Sequence, residues 1–274
     1  MNLLQSIILG LVQGLTEFLP ISSSGHLLIV PALLGWDDPG AAFTAVIQLG
    51  TEAAVLIYFR HDLWRIALTW IRSLRDRGLR SHPDARMGWY LVVATVPIAL
   101  LGFAFQNQIE TAARNLWLVG STLIVFGLVL GLADRIGSTD RTVDQLSFRD
   151  GALIGLAQSL ALIPGVSRSG ATISAGRFLG LERPAAARFS FLLAIPAVVL
   201  SGAYELLKIL AGKEHVGEPL LNVAVATLVA FVVGLAVISW FLRYLTNHSM
   251  KLFVWYRVLV GAGVLILVAA GAIS

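Results

Sequence analysis

Two polar runs in this chain carry groups able to do acid–base and phosphate chemistry. In the first, Gln13 and Glu17 lie four residues apart, so on a helix they share a face; Pro20 follows, and then Ser22-Ser23-Ser24-Gly25-His26. Hydroxyls and backbone N–H groups at a helix start bind phosphate oxygens. His26, whose ordinary pKa lies near neutrality, can be nucleophile, general acid or general base. In the second run, Pro164-Gly165-Val166-Ser167-Arg168-Ser169-Gly170-Ala171-Thr172, a guanidinium stands between two serines. Its planar donors suit bidentate pairing with phosphate, and Thr172 follows one helical turn later. Gly25 and Gly170 place backbone amides beside these side chains.

The surroundings make such groups costly. Of 274 residues, 57% are hydrophobic and only 13% charged, and the mean hydropathy is +0.81. Soluble domains run nearer one quarter charged, so the composition predicts an all-α polytopic membrane protein. A carboxylate there must pair, bind a cation or meet water, which marks Glu17; Arg168 lies too deep to snorkel freely and needs an anionic partner. The structural alternatives are an interhelical hydrogen bond at Glu17, serines that serve close helix packing, and a Glu17–Arg168 salt bridge that only joins two parts of the bundle. Glu52, in an apolar run near Gln48 and Thr51, could reach the cavity, with an interhelical hydrogen bond the favoured reading, and Glu205 reads as an ordinary span-end residue. Zero cysteines exclude disulfides, thiolate metal sites and cysteine nucleophiles. The net charge of +4 comes from arginines in loops between apolar runs, where membrane topology accounts for them and nucleic-acid binding is not implied. The N-terminal run has no basic flank or small-residue cleavage site, so it is not read as a removable leader.

The elements that must hold these groups follow from the apolar runs. Residues 2–18 and roughly 26–35 are too short to cross a hydrocarbon core of about 30 Å; around a polar break they make a re-entrant hairpin, which survives only when enclosed by other helices. Spans are expected at 41–59, 88–106, 115–133, 186–207, 220–242 and 252–272, with the stretch 106–108 separating two of them. A second pair of short helices flanks the break at 164–172. The arginine-rich loop 60–86 and the segment 135–149 fall on the cytoplasmic side by the positive-inside rule.

The two breaks are copies of one unit. Gly10-Leu11, Gln13, Ser22, Ser24-Gly25, Leu34-Gly35 and Pro39 recur as Gly155-Leu156, Gln158, Ser167, Ser169-Gly170, Leu179-Gly180 and Pro184 at a single offset of 145 residues (158 less 13, 170 less 25). The chain therefore divides into a first repeat, 1–134, and a second, 150–274, joined by the linker 135–149 within one membrane domain. With one re-entrant hairpin and three transmembrane helices each, the repeats have inverted topology, and their breaks can meet near the midplane. Ser23 aligns with Arg168, so the copies have diverged, one toward a nucleophile and the other toward an electrostatic clamp.

At these residues the chain resembles the bacterial undecaprenyl-diphosphate phosphatases of the bacitracin-resistance type. The motifs (E/Q)-x-x-x-E with P-x-S-S-S/T-G-H, here Gln13 to His26, and P-G-x-S-R-S-G-x-T, here Pro164 to Thr172, carry the similarity over essentially the whole length. The resemblance implies an integral membrane phosphatase that converts undecaprenyl diphosphate to the monophosphate and inorganic phosphate, recycling the lipid carrier of cell-wall synthesis. It also implies the bacterial cytoplasmic membrane, a site open toward the outer face, and dependence on Mg²⁺ or Ca²⁺. A homodimer is compatible with it. Gln13 stands in the first acidic slot, which leaves Glu17 as the main metal ligand. On this reading Glu17, Ser23, His26 and Arg168 are catalytic, and Gln13, Ser22, Ser24, Gly25, Ser167, Ser169, Gly170 and Thr172 bind substrate; the attacking group is Ser23, His26 or water. Transport or flipping of prenyl phosphate lipids is the competing class, since inverted repeats with broken helices are transporter architecture. A serine and a histidine side by side favour the enzyme.

Overall fold

The computed structural model describes residues 1–106, 108–109, 115–137, 140–210 and 217–273. It is helical throughout. In chain order the helices are α1 (Leu3–Thr16), α2 (Ser23–Leu34), α3 (Gly40–Tyr58), α4 (Arg60–Arg75), α5 (Pro83–Ala104), α6 (Leu116–Ile136), α7 (Phe148–Gln158), α8 (Arg168–Phe178), α9 (Arg183–Leu210), α10 (Leu220–Asn247) and α11 (Lys251–Ala269). Four of them, α5, α6, α10 and α11, are long and apolar enough to cross a membrane, and the bent pair α3–α4 makes a fifth if counted as one span. Phe103, Leu220 and Leu259 point outward and are exposed, as lipid-facing side chains are.

Both short-helix pairs form as the apolar runs predict, with one shift that matters. The second helix of the first pair begins at Ser23, not near 26, because Ser22 caps it: the Ser22 Oγ accepts a hydrogen bond from the Gly25 N–H at 3.3 Å. Ser23, Ser24, Gly25 and His26 therefore lie within the first turn of α2. In α8 the arrangement repeats, with Ser167 Oγ accepting from the Gly170 N–H at 3.1 Å. Ser22 and Ser167 have φ of 76° and 74°, and among the described residues they alone are non-glycine residues in the left-handed region. Such a conformation costs on the order of 1–3 kcal/mol and persists only where the surroundings over-determine it.

The stretch after α3 is not a loop. The chain bends by 75° at Phe59 and continues as α4, whose Arg60, Arg65, Arg72 and Arg75 and whose exposed Trp64 and Ile71 give it charged and apolar faces. Arginine spacing alone reads as a basic loop; the apolar residues between the arginines make it an amphipathic helix of the kind that lies along a membrane surface. The linker is likewise structured: Arg141 donates to the Leu179 carbonyl and to Asp150 at 2.6 Å each, which fastens it to the end of α8 and the start of α7. Residue 107, in the expected turn at 106–108, lies outside the described residues, as does the side chain of Glu205.

Packing follows the repeat. The helix α1 lies along α10, and α7 lies along α5. The contact is made by matched glycines: a Cβ on Gly10 would sit 2.4 Å from the Ala226 carbonyl oxygen, and one on Gly155 would sit 2.3 Å from the Ala94 Cα. Small residues allow this approach where lipid offers no hydrophobic drive for helix association. The helices α6 and α11 pack along one another, and α3 packs on α10 and α9. Phe18 is buried at the bottom of the first break and meets Phe191 of α9 edge to face, with ring centroids 5.4 Å apart.

Candidate active site

The two breaks touch. Ser169 Oγ donates to the Leu19 carbonyl at 3.0 Å, and a Cβ on Gly25 would lie 3.7 Å from the Gly165 Cα. The N-termini of α2 and α8 thus come together, each carrying the partial positive charge of a helix start.

Glu17, just past the last turn of α1, organises the polar groups. Its Oε1 accepts from Arg168 Nη2 at 2.6 Å, while its Oε2 accepts from Ser23 Oγ at 2.6 Å and from Gln13 Nε2 at 3.1 Å. One carboxylate therefore connects the serine of the first break, the arginine of the second and the amide one turn earlier. Gln13 also donates to Thr51 Oγ1 of α3 at 3.2 Å. Arg168 gives a further bond to the Ala194 carbonyl at 3.3 Å, which leaves other guanidinium N–H groups able to meet an anion. Glu17, Thr51, Glu52 and Arg168 line a small cleft closed by Phe18, Val55 and Ile195.

His26 is not part of this hydrogen-bonded set. Its Nδ1 lies 2.7 Å from the Ser22 carbonyl oxygen and its Nε2 lies 2.8 Å from the Tyr256 hydroxyl, over which the ring also stacks. With Nδ1 donating to the carbonyl, Nε2 accepts the Tyr256 proton. Ser22 and Ser24 hydroxyls are 3.3 Å apart; Ser22 is buried and Ser24 is exposed. Ser167 and Ser169 pair at 3.1 Å and hold the second loop to itself and to the first. Thr172 is buried and bonds to Ser190 Oγ at 2.6 Å. Of the residues singled out in the sequence, Gln13, Glu17, Ser23 and Arg168 converge; His26 flanks them, and the remaining serines, Gly25, Gly170 and Thr172 build the loops.

Comparison with known proteins bears directly on this arrangement. The model of the family described as bacitracin resistance protein BacA matches residues 6–263. The chain belongs to the BacA family. BacA relatives named undecaprenyl-diphosphatase are similar over the full length: one from Nocardioides sp. is 60% identical over 273 residues, covering all of this chain and 99% of its own. One from Kineococcus radiotolerans is 58% identical, with 96% of its length covered, and one from Renibacterium salmoninarum is 54% identical, with 98% covered.

In this BacA chain the sequence reading passed over two neighbours on α11. Arg257 is fully buried inside an expected span. Its guanidinium donates to the Pro20 carbonyl of the first break at 2.9 Å, to the Gly165 and Val166 carbonyls of the second at 3.0 Å each, and to Leu123 on α6 at 3.1 Å. It makes no ion pair among the described residues; it bonds backbone carbonyls of both loops that have lost helical partners. The signal was available, because an arginine in the middle of a 252–272 span is a functional or structural marker by default. Tyr256, its neighbour, is the partner of His26. Glu52 follows the less favoured of its two sequence readings: among the described residues its carboxylate makes no hydrogen bond, and the residue lines the cleft.

Whether the cleft suits a divalent cation can be judged from its oxygen donors. No group of three His, Asp or Glu side chains converges among the described residues. Two carboxylates, Glu17 and Glu52, do line the cleft, and Gln13, which donates to Glu17, has a buried Oε1 without a hydrogen-bond donor. That set fits a Mg²⁺-like ion, which is held by one or two carboxylates, several waters and substrate phosphate in place of a full protein cage.

Proposed function

We propose that this BacA chain is an undecaprenyl-diphosphate phosphatase of the bacterial cytoplasmic membrane. It releases inorganic phosphate and returns the lipid carrier as the monophosphate for cell-wall synthesis, the activity behind bacitracin resistance. The observation that carries the reading is the chain Ser23–Glu17–Arg168, two contacts of 2.6 Å that join a hydroxyl, a carboxylate and a guanidinium from the two breaks. Full-length similarity to relatives bearing that enzyme's name supports the substrate.

In this reading Glu17 is the general base, because the Ser23 hydroxyl already donates to it, and His26 is not, because both of its ring nitrogens are engaged elsewhere. The Ser23 proton passes to Glu17 Oε2 as Ser23 Oγ forms a bond to the terminal phosphorus. The bond from that phosphorus to the bridging oxygen breaks, and undecaprenyl phosphate leaves with the electron pair. Water, its proton taken by a carboxylate, then attacks the phosphorus of the phosphoserine; the phosphorus–Oγ bond breaks, inorganic phosphate leaves, and the proton held on Glu17 returns to Ser23 Oγ. Arg168 and the N-terminal amides of α2 and α8 offset the charge on the transferring phosphoryl group, which an apolar cleft makes more effective than water would. A divalent cation, which Glu17 would hold, would supply further charge neutralisation when bound.

The repeats, 1–134 and 150–274, are inverted copies, each with one re-entrant hairpin and three crossings, and the cleft opens to the outer face. The matched left-handed serines, the exchanged packing of α1 on α10 and α7 on α5, and the basic α4 and linker support this arrangement.

The test is phosphate release from undecaprenyl diphosphate by detergent-solubilised protein with no membrane gradient. Wild type should turn over, Ser23→Ala should not, and rapid quenching should trap phosphoserine at position 23. Release at the wild-type rate by Ser23→Ala would remove the covalent route. No release at all, with a lipid phosphate still bound by wild type and lost in Arg168→Ala, would favour transport.

A further inference from the structure

We infer that Glu52 is a working residue of the phosphatase site, the second carboxylate that binds the divalent cation, and that it takes over the position left neutral by Gln13. This rests on the phosphatase reading for its substrate, but its own observations are separate.

Glu52 lies on α3, one residue past Thr51, which receives the Gln13 amide proton. It lines the same cleft as Glu17 and Arg168, and the charges whose fields reach it are those of Arg168 and Glu17. Arg168, however, is already paired with Glu17 at 2.6 Å. Glu52 is left without a hydrogen bond or contact ion pair among the described residues, in a half-buried position surrounded by apolar side chains. A carboxylate so placed takes a proton or holds a cation.

Two further facts select the cation. The first is a neighbouring acceptor with the same deficit: Gln13 is 1% exposed, its Nε2 is fixed by Glu17 and Thr51, and its Oε1 is consequently turned away from every donor. Glu17 already accepts three donors, so the acceptors left without one are the Gln13 amide oxygen and the Glu52 carboxylate, oxygen groups of the kind a hard cation takes. The second is charge. With both carboxylates ionised, Glu17 and Glu52 against Arg168 give the cleft a surplus negative charge, and a diphosphate entering it would be repelled unless positive charge came with it. A cation on Glu52 removes the repulsion and leaves Arg168 for the phosphate.

The arrangement also accounts for Gln13. An amide, not a carboxylate, stands four residues before Glu17 in this chain. The second charge then comes from α3, and the Gln13 amide ties α1 to Thr51 next to it.

Mn²⁺ reports the site directly, since electron paramagnetic resonance of free Mn²⁺ measures binding without turnover. Detergent-solubilised wild type should bind Mn²⁺, and the near-isosteric Glu52→Gln should bind it at least tenfold more weakly. Adding Gln13→Glu in the Glu52→Gln background should return most of the affinity by moving the charge back to α1, which also proves the double variant folded. In phosphate release, Glu52→Gln should raise the Mg²⁺ concentration for half-maximal rate by a similar factor, with a smaller change in KM for the lipid at saturating Mg²⁺. Unchanged Mn²⁺ affinity in Glu52→Gln, or a wild type that binds no Mn²⁺, overturns the inference. If wild type binds Mn²⁺ and fails to cleave the lipid, the substrate assignment falls while the Mn²⁺ titration still decides the role of Glu52.

Discussion

The first and second breaks share a backbone and divide the chemistry. Both start a helix from a left-handed serine, Ser22 or Ser167, both cap it with that serine's hydroxyl, and both place a glycine three residues on. Where the first break has Ser23 and His26, the second has Arg168 and Ala171; where α1 runs into Glu17, the matching position after α7 is Leu162. The conserved part between the copies is the device that turns a helix start toward a common centre. The variable part is what each start delivers: one copy brings the hydroxyl and its carboxylate, the other the positive charge. On the proposed reading a duplicated scaffold yields an asymmetric site, because an attacking group and an electrostatic clamp need opposite properties and one side chain cannot supply both.

The largest effects test that division. Ser23→Ala and Arg168→Ala should each lower kcat by roughly a thousandfold, in phosphate-release assays on protein that still elutes as a folded species. Arg168→Lys should recover only part of the loss, because an ammonium lacks the planar fork. If Ser23→Ala kept its activity, the first break would not be the chemical half.

Arg257 tests whether the two breaks depend on one another. Arg257→Met leaves carbonyls of both loops without a donor, and should cost about 3 kcal/mol or more, read as a lowered midpoint in thermal unfolding in detergent. Activity should fall with it even below that midpoint. A variant with wild-type stability would show that the loops hold themselves.

Smaller effects should be matched between halves. Gly10→Val and Gly155→Val each force α1 from α10 or α7 from α5, at about 1–3 kcal/mol. Similar losses would support equivalence of the two contacts, and a loss confined to one would break it.

The smallest difference is one of pH. Both hairpins begin with capping boxes at matched positions, Asn2 with Gln5 and Ser147 with Asp150, but only the second is ionisable. Burial pushes the Asp150 carboxyl up, yet hydrogen bonds from Arg141 and Ser147 outweigh it and hold the group below the ordinary carboxylate range. A lowered folded pKa contributes stability that is complete above the ordinary carboxylate pKa and is lost as pH falls through the folded value. Amide exchange at the start of α7 should therefore quicken below about pH 4, while the start of α1 stays unchanged. In Asp150→Asn the acid-induced change should disappear.

Much of this was legible in the chain because burial in lipid leaves few reasons for polar residues. Glu17, Ser23 and Arg168 stood out against apolar runs, and the constant offset of 145 residues brought the breaks together before any coordinates did. What was not legible depended on distance through space. The partner of Ser23 turned on where Ser22 starts α2, a matter of one left-handed residue that composition does not signal. His26 stood beside Ser23 in sequence as an alternative nucleophile, acid or base, yet its partner Tyr256 is 230 residues away. Glu52 was open to two readings, helix glue or a residue of the cavity; only the packing of α3 beside α1 puts it on the cleft. The helix α4 was hidden by its arginines, which set topology and amphipathicity with the same residues.

The reach of Arg257 has a consequence for how the protein is made. Synthesis runs from the N-terminus, so Glu17, Ser23 and Arg168 are all threaded into the bilayer before α11 emerges. Until it does, the Pro20, Gly165 and Val166 carbonyls lack the donor that bonds them in the finished fold. The last helix thus acts as a completion signal. A chain stopped before residue 257 holds both breaks without the guanidinium that bonds them to α11, and on the proposed function such unfinished copies should release no phosphate.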